Sequence, residues 1–488
     1  MTEVHNLAFV DTPQSPGDRR PLAAVPHRSV VLTDDPELAG LVPGGDTEVA
    51  VWGTDLAPAN VPDTVADLGF RPAHLRALLR LDRGAEPTAA RALHDLTFAA
   101  LQGLHARLES VVVLVVGGVV DGPDGVVPRP ETGLFAGLLR SAARELPDAW
   151  CATVLAGDLP AGDALSLMAA ESTRRQGWWT VAYSGGRRWE LAMRAQEPSR
   201  PPALPALGDD AVVVAVGGGR GITTHCLRAL IRPGRGPHVY LLGRTAPPAG
   251  PTAPPPPLAD FLRERRVTRG QARTADLVAE HRALVRAAEL RATLDRLGDR
   301  ARYIACDVVD PAAVAAAVES VLARHGGVDL LLFSAGEVAS AALPGKAPAD
   351  FRRVRDTKLI GYANLKRALA ACPPRIWCNF SSMSALVGVA GDTDYASGSD
   401  FLLTAAWWAN QREGRDEYSI AWPAWAEVGM AADPAVTAAL RRQGVEVGLH
   451  PDDGAAVFRR LLEAGTHPAT ALVSAETQER EPVGARPW

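Results

Sequence analysis

Lys358, Ser382 and Tyr395 follow one another in the last third of the chain. Together they make a set that suits reduction of a carbonyl group. That chemistry needs a hydride donor, an acid for the developing alkoxide and a group that tunes the acid. A free phenol has a pKa of about 10, too high for proton exchange near pH 7. A neighbouring ammonium favours the phenolate, and a serine hydroxyl can hold the carbonyl oxygen at the same point. Each residue alone has a plainer reading: a core or surface phenol for Tyr395, a helix cap for Ser382. Lys346, Lys358 and Lys366 are the only lysines, so each stands out. The weight rests on the joint order of the three behind a glycine-rich turn.

That turn lies in Ala211–Thr223, AVVVAVGGGRGIT. A β-branched run predicts a strand, Gly217, Gly218, Gly219 and Gly221 a tight turn, and Ile222 onward a helix. Glycines let the backbone approach a pyrophosphate, and a helix N-terminus offers it free N–H groups. The second strand, His238–Leu242, ends in Gly243-Arg244-Thr245. An acidic residue there would suit the ribose hydroxyls of NAD, whereas an arginine suits the 2′-phosphate of NADP. Arg244 and Arg220 are the two candidates. The Pro-rich stretch Pro247–Pro257 predicts an exposed loop. Ala275–Leu297 predicts a long helix, to which no chemistry is assigned. A third strand ends in Cys306-Asp307-Val308, with Asp307 placed either for an adenine amino group or as a surface cap. The strand Val328–Phe333 runs into Ser334-Ala335-Gly336, small enough to lie against a nicotinamide ribose. A helix over Phe351–Leu369 carries Lys358, the strand Ile376–Phe380 runs into Ser381-Ser382, and Tyr395 opens a further helix. The last strand, about Tyr418–Trp422, leads into Pro423.

The first half has the same alternation. Ser29–Thr33, Glu48–Trp52, Val111–Val116, Cys151–Leu155 and Trp179–Tyr183 read as strands, with helical spacing over 89–107 and 131–146. This is the pattern of a parallel sheet covered by helices. The first strand is followed by Asp34-Asp35-Pro36-Glu37, which has no glycine and three acids, so a phosphate is repelled there. This half is therefore expected to be structural. A Pro-rich linker over 194–209 sets the boundary between 1–205 and 206–488.

The totals agree. A chain of 488 residues, 47 % hydrophobic and 22 % charged, has room for about two or three domains. A net charge of −5 with no basic block argues against nucleic acid as the main partner. The five cysteines are scattered without a CxxC pair, which argues against a disulfide framework or a zinc site. No signal-peptide pattern opens the chain, and the longest apolar run, Val111–Val120, is too short to span a bilayer, so a soluble cytoplasmic protein is expected.

With these residues in view, the second half resembles the short-chain dehydrogenase/reductases, and more narrowly the ketoreductase domain of type I polyketide synthases. The resemblance rests on VGGGRGIT (216–223), LLGRT (241–245), CDVVD (306–310), FSAG (333–336), Lys358, FSSMSALVG (380–388), Tyr395 and WPAWAEVGM (422–430). In that family the lysine precedes the serine and tyrosine, as here. TGLFAGLLRSAARELP (132–147) and VAYSGGRRWELAM (181–193) are similar to segments of the truncated, nucleotide-free Rossmann-like subdomain that precedes the catalytic one. The resemblance thus implies an α/β fold of two Rossmann-like subdomains, the second holding NADPH and acting on a β-ketoacyl group carried by an acyl carrier protein. It implies a catalytic set of Lys358, Ser382, Tyr395 and Ser399. The cofactor would lie along Gly217–Ile222, Arg244, Asp307, Val308, Ser334–Gly336, Lys358, Tyr395 and Pro423. Met383, Trp425, Met430 and Leu440 would face the substrate, the last under a lid helix Pro434–Gln443 capped by Asp433.

Three departures stand out. Thr223 replaces the third glycine of the turn. Ser399 occupies the position of a family asparagine that supports the lysine and a proton-relay water. Val338-Ala339-Ser340 and Val387 replace the stereochemical fingerprints, so the alcohol configuration is left open. The resemblance also leaves open whether the chain is freestanding or part of a larger synthase. Two other readings stand beside the leading one. One is a tailoring reductase of a free cyclic ketone. The other is a catalytically silent scaffold that binds NADPH or a carrier, which Ser399 motivates.

Overall fold

In the computed structural model the described residues are 3–12, 23–42, 48–82, 87–123, 125–172, 178–195, 207–231, 235–245, 255–269, 272–429, 434–443, 445, 447–464 and 467–474. They form one 15-stranded sheet with helices on both faces, together with two small two-stranded sheets.

One end of the large sheet is built from seven parallel strands. From the edge they run Ala301–Ala305, His238–Gly243, Val212–Val216, Leu330–Phe333, Ile376–Ser382, Glu417–Trp422 and Thr470–Ser474. The order reverses beside Val212–Val216, whose neighbours are the second and fourth strands of this half. In doubly wound sheets ligands bind at the carboxyl ends of the strands at such a reversal. Every residue of Val212–Val216 and Leu330–Phe333 is buried, as a parallel strand covered on both faces requires.

The other end is also parallel, in the order Trp178–Ser184, Trp150–Ala156, Ser110–Val116, His74–Arg80, Ser29–Leu32 and Val49–Trp52. Two antiparallel strands join the ends. Glu3–Asp11 pairs with Thr470–Ser474 on one side and with Arg187–Ala195 on the other.

His74–Arg80 departs from the expected pattern because two arginines sit in a central, fully buried strand. Each has partners within its own half. Arg76 donates to Ala24 O, Leu75 O and Ser110 Oγ. Arg80 pairs with Asp35 at 2.8 Å and Asp82 at 3.2 Å. The turn that the sequence marks as hostile to phosphate is therefore occupied by the chain's own ion pairs. Thr54 closes it further by donating to Asp34.

The end that holds Val212–Val216 carries two helices between its second and third strands, Leu258–Arg269 and Thr274–Leu297. The expected Pro-rich loop falls mostly on 246–254, outside the described residues; Pro255–Pro257 is irregular. Among the described residues no helix is long and apolar enough to cross a membrane, and no cluster of ligating side chains could hold a metal ion.

Candidate active site

The glycine turn follows Val212–Val216 at the reversal of strand order. Gly217 has φ +86°, and a Cβ placed on it would come within 2.7 Å of Ala335 N. The first and fourth strands can therefore converge only with glycine there. Ser334 ties the junction by donating from its N–H and its Oγ to Val216 O. Gly221 is the cap residue of the helix Ile222–Arg228, and no side chain bonds to that end. Gly429 closes over the turn, against Gly221 and Ile222. Gly217 N donates to Leu242 O, and the glycines beyond it leave the backbone open enough for a diphosphate to approach.

Lys358 projects from the helix Pro348–Ala368 and is only 3 % exposed. Its stem passes between Gly336 and Gly398, where an added Cβ would lie 3.4 Å from Cε and 3.2 Å from Cδ. Its Nζ donates to Phe380 O at 3.0 Å and lies 5.2 Å from the centre of the Tyr395 ring. Burial pushes its pKa down to about 7. Tyr395 lies in the first turn of the helix Thr393–Glu413. Its pKa is pushed up to about 12, chiefly by burial and further by the Asp392 carboxylate, while the hydroxyls of Ser382 and Ser399 pull the other way.

The structure therefore gathers Lys358, Ser382, Tyr395 and Ser399 into one place, with electrostatics unlike those expected from sequence. The ammonium faces the ring and a carbonyl, and dehydration dominates the phenol. Among the described residues Ser399 Oγ is buried without a hydrogen-bond partner, although it lies near enough to Tyr395 to favour the phenolate. Ser382 Oγ accepts from Ser384 N at 3.2 Å and bonds Ser384 Oγ at 2.9 Å.

A buried polar cluster fixes the start of the Tyr395 helix. Asp394 pairs with Lys346 at 2.7 Å, both side chains fully buried, and accepts from Tyr395 N at 2.8 Å. Asp392 accepts from Ser340, and burial raises its pKa to about 6.

The first half reaches the same elements. Backbone carbonyls of the segment after Ser382 accept from Arg140 (at Ala385 O) and Arg144 (at Val387 O), each at 2.8 Å. Glu145 accepts from Leu343 N at 2.6 Å and Gly391 N at 2.9 Å. His94 meets Ser397 Oγ at 3.2 Å. A Cβ on Gly137 would sit 2.4 Å from Ala396 O, so the helix Pro130–Ala143 lies directly on the helix that begins beside Tyr395.

The remaining expected residues divide. Asp307 makes a local turn, accepting from Val309 N at 3.2 Å. Val308 turns its side chain into the core against Gly361, so only its backbone is placed to face a cofactor. Arg220 and Arg244 are exposed beside the glycine turn, Arg244 sharing Glu337 at 3.4 Å. Pro423 is half-buried at the end of its strand. Met383 is buried in the core beside the site. Trp425 corrects the expectation of a substrate contact. It is 2 % exposed, packed edge-on to Trp422 and against Gly454, so its indole belongs to the core. Met430 and Asp433 lie outside the described residues. The lid helix is present as Pro434–Arg442, with Leu440 half-buried. Gln443, just after it, brackets Ala390 by accepting from its N at 2.9 Å and donating to its O at 3.4 Å. Arg286, on the long helix given no chemistry, also belongs to this region: Arg220 and Arg244 act on its charge.

Comparison with known proteins bears on the fold. Residues 211–427 match the KR domain family model. The chain is 28 % identical over 362 residues to erythronolide synthase EryA3 of Saccharopolyspora erythraea, covering 74 % of this chain and 10 % of that one. It is 28 % identical over 295 residues to a polyunsaturated fatty acid synthase chain from a Thraustochytrium species, covering 57 % and 10 %. The chain thus spans about a tenth of the length of these relatives. Among solved structures, an A1-type ketoreductase superposes with a TM-score of 0.69 at 23 % identity, covering 96 % of this chain and 92 % of its own. The first-module ketoreductase of phoslactomycin biosynthesis in a Streptomyces species gives 0.67 at 19 %, covering 97 % and 93 %. These likenesses show the fold.

Proposed function

Given that this chain contains a ketoreductase domain of the polyketide-synthase kind, we propose that it reduces a β-keto group of a carrier-bound polyketide intermediate to a hydroxyl, with NADPH as reductant. The observation that carries the reading is the meeting of Lys358, Ser382 and Tyr395 at the carboxyl ends of parallel strands, beside a glycine turn. NADPH, when bound, supplies the hydride. The chain does the rest. Ser382 holds the ketone oxygen and Tyr395 donates its proton to it. Lys358 lies against the phenol ring and opposes the charge that appears on the oxygen. Met383, Leu440 and the helix Pro434–Arg442 border the substrate and limit water. Residues 206–488 form the catalytic subdomain, and 1–205 support it. The relatives are multidomain synthases, which favours a carrier protein and other synthase domains as partners.

The test is oxidation of NADPH and of NADH with a bicyclic ketone and a β-ketoacyl thioester, for the wild type and Tyr395→Phe. Turnover should prefer NADPH and fall by a factor of about 10²–10⁴ in the variant. A Tyr395→Phe enzyme that keeps most of its activity refutes the mechanism. The unpartnered Ser399 hydroxyl favours one other reading, a silent cofactor-binding scaffold. NADPH binding without turnover of any ketone would establish it. Faster turnover of the free bicyclic ketone than of the thioester would favour a tailoring reductase.

A further inference from the structure

The long helix Thr274–Leu297 rests on the glycine turn. Thr293 Oγ1 meets Thr224 Oγ1 at 3.3 Å, and Leu290 is buried where a Cβ on Gly219 would come within 2.8 Å of its Cδ1. Arg286 stands one turn before Leu290 and Arg282 one turn before that, about 6 Å apart along the axis at 1.5 Å per residue. The contact at Gly219 therefore sets these two arginines beside Arg220, the next residue of the turn, and Arg244, at the end of the second strand.

The four guanidiniums act on one another. Burial, and then the charges of Arg220, Arg244 and Arg282, lower the pKa of Arg286. Two carboxylates are near. Glu289, on the same helix, partly offsets the repulsion. Glu337 lies 3.4 Å from Arg244 and also pairs with Arg353. Among the described residues Arg220, Arg282 and Arg286 form no ion pair. A part-buried guanidinium beside three others is unfavourable until an anion joins them.

We propose that Arg286, backed by Arg282, completes with Arg220 and Arg244 the site for the 2′-phosphate of the dinucleotide, and that Arg286 sets the preference for NADPH over NADH. This rests on the reductase reading above. The place is where an adenosine ribose falls in doubly wound folds, past the end of the second strand. A phosphomonoester dianion matches the forked donors of arginine. Arg244 shares its charge with Glu337, and of the other three only Arg286 is half-buried, Arg220 and Arg282 being exposed, so Arg286 discriminates most.

The experiment measures dissociation constants of the full chain for NADPH, NADH, 2′,5′-ADP and 5′-ADP by fluorescence titration and competition, at fixed ionic strength. Arg286→Gln should weaken NADPH and 2′,5′-ADP about tenfold, the effect of losing one charge-assisted hydrogen bond, and leave NADH and 5′-ADP unchanged. Arg282→Gln should act in the same direction by a smaller factor. Without ligand neither variant should melt below the wild type, since each removes one of four mutually repelling charges. A wild type that prefers NADPH, with an unchanged NADPH-to-NADH ratio in Arg286→Gln, overturns the proposal and leaves the reductase reading intact. A wild type with no preference for the 2′-phosphate overturns both this proposal and NADPH as the reductant.

Discussion

Lys358→Met should make the cofactor-free protein more stable while removing its activity. Lys358 is 3 % exposed, and burial lowers its pKa from 10.5 to about 7. The unfolded chain holds this proton up to pH 10.5, and the folded chain releases it near 7. Between those values the unfolded state binds more protons, so stability rises with pH. The gap of about 3.5 pH units, at 1.36 kcal/mol each, sets a cost to folding of about 5 kcal/mol at pH 7 and below. Methionine keeps most of the stem, which lies between Gly336 and Gly398, but loses the bond to Phe380 O, worth about 1 kcal/mol. A net gain of about 4 kcal/mol remains at pH 7. Urea midpoints at pH 7, 8 and 9 would measure it. The advantage of the variant should shrink by about 1.4 kcal/mol per pH unit. Ketone turnover should fall at least about a hundredfold at every pH. A variant less stable than the wild type at pH 7, or an advantage that does not change with pH, refutes the argument that Lys358 is held against its own hydration.

Two further substitutions probe the neighbours of Tyr395. Ser399→Ala removes a buried hydroxyl that has no hydrogen-bond partner among the described residues, so urea stability should change by less than about 1 kcal/mol. The phenol loses a group that favours its ionised form, so in the alcohol-oxidation direction the rate should begin to rise at a higher pH than in the wild type; an unmoved profile contradicts this. Gly137→Ala puts a Cβ about 2.4 Å from Ala396 O and should cost about 1–3 kcal/mol. Because Ala396 adjoins Tyr395, kcat should fall as well. Gly162→Ala, in a helix and with nothing within 4 Å of its added Cβ, is the control: it should not lower the melting temperature and should leave kcat unchanged.

Most of the parallel strands were legible because they are short apolar runs bounded by turn residues, as in VVVAV before Gly217; Thr470–Ser474, a parallel strand beyond the Tyr418–Trp422 run expected to be the last, was not. His74–Arg80 was hidden because HLRALLR carries charges that only its partners excuse: Ala24 O and Ser110 for Arg76, and Asp35 and Asp82 for Arg80. Glu3–Asp11 was hidden for another reason. Its place between Arg187–Ala195 and Thr470–Ser474 depends on pairings hundreds of residues away. Within the site, residue types and order pointed to Lys358, Ser382 and Tyr395, but order does not say which way an ammonium faces. Only the passage between Gly336 and Gly398 and the bond to Phe380 O show that Lys358 lies on the ring and is itself dehydrated. Arg286 left no trace in sequence beyond one more arginine on a helical face. Its signal is the seating of Leu290 on Gly219.

The first half takes a different part from the second. The turn after its first parallel strand is occupied by Arg80 with Asp35 and Asp82. Its helix Pro130–Ala143 instead meets the catalytic helix at Gly133 and Gly137, residues that weaken a helix in isolation. Their smallness is what lets two backbones touch beside Tyr395. Arg140, Arg144 and Glu145, on and just after the same helix, then grip the segment from Ala385 to Gly391. Taken alone, the two glycines count against a helix. Taken with their partners, they bring Pro130–Ala143 against the start of the Tyr395 helix, so the first half helps to set where Tyr395 stands.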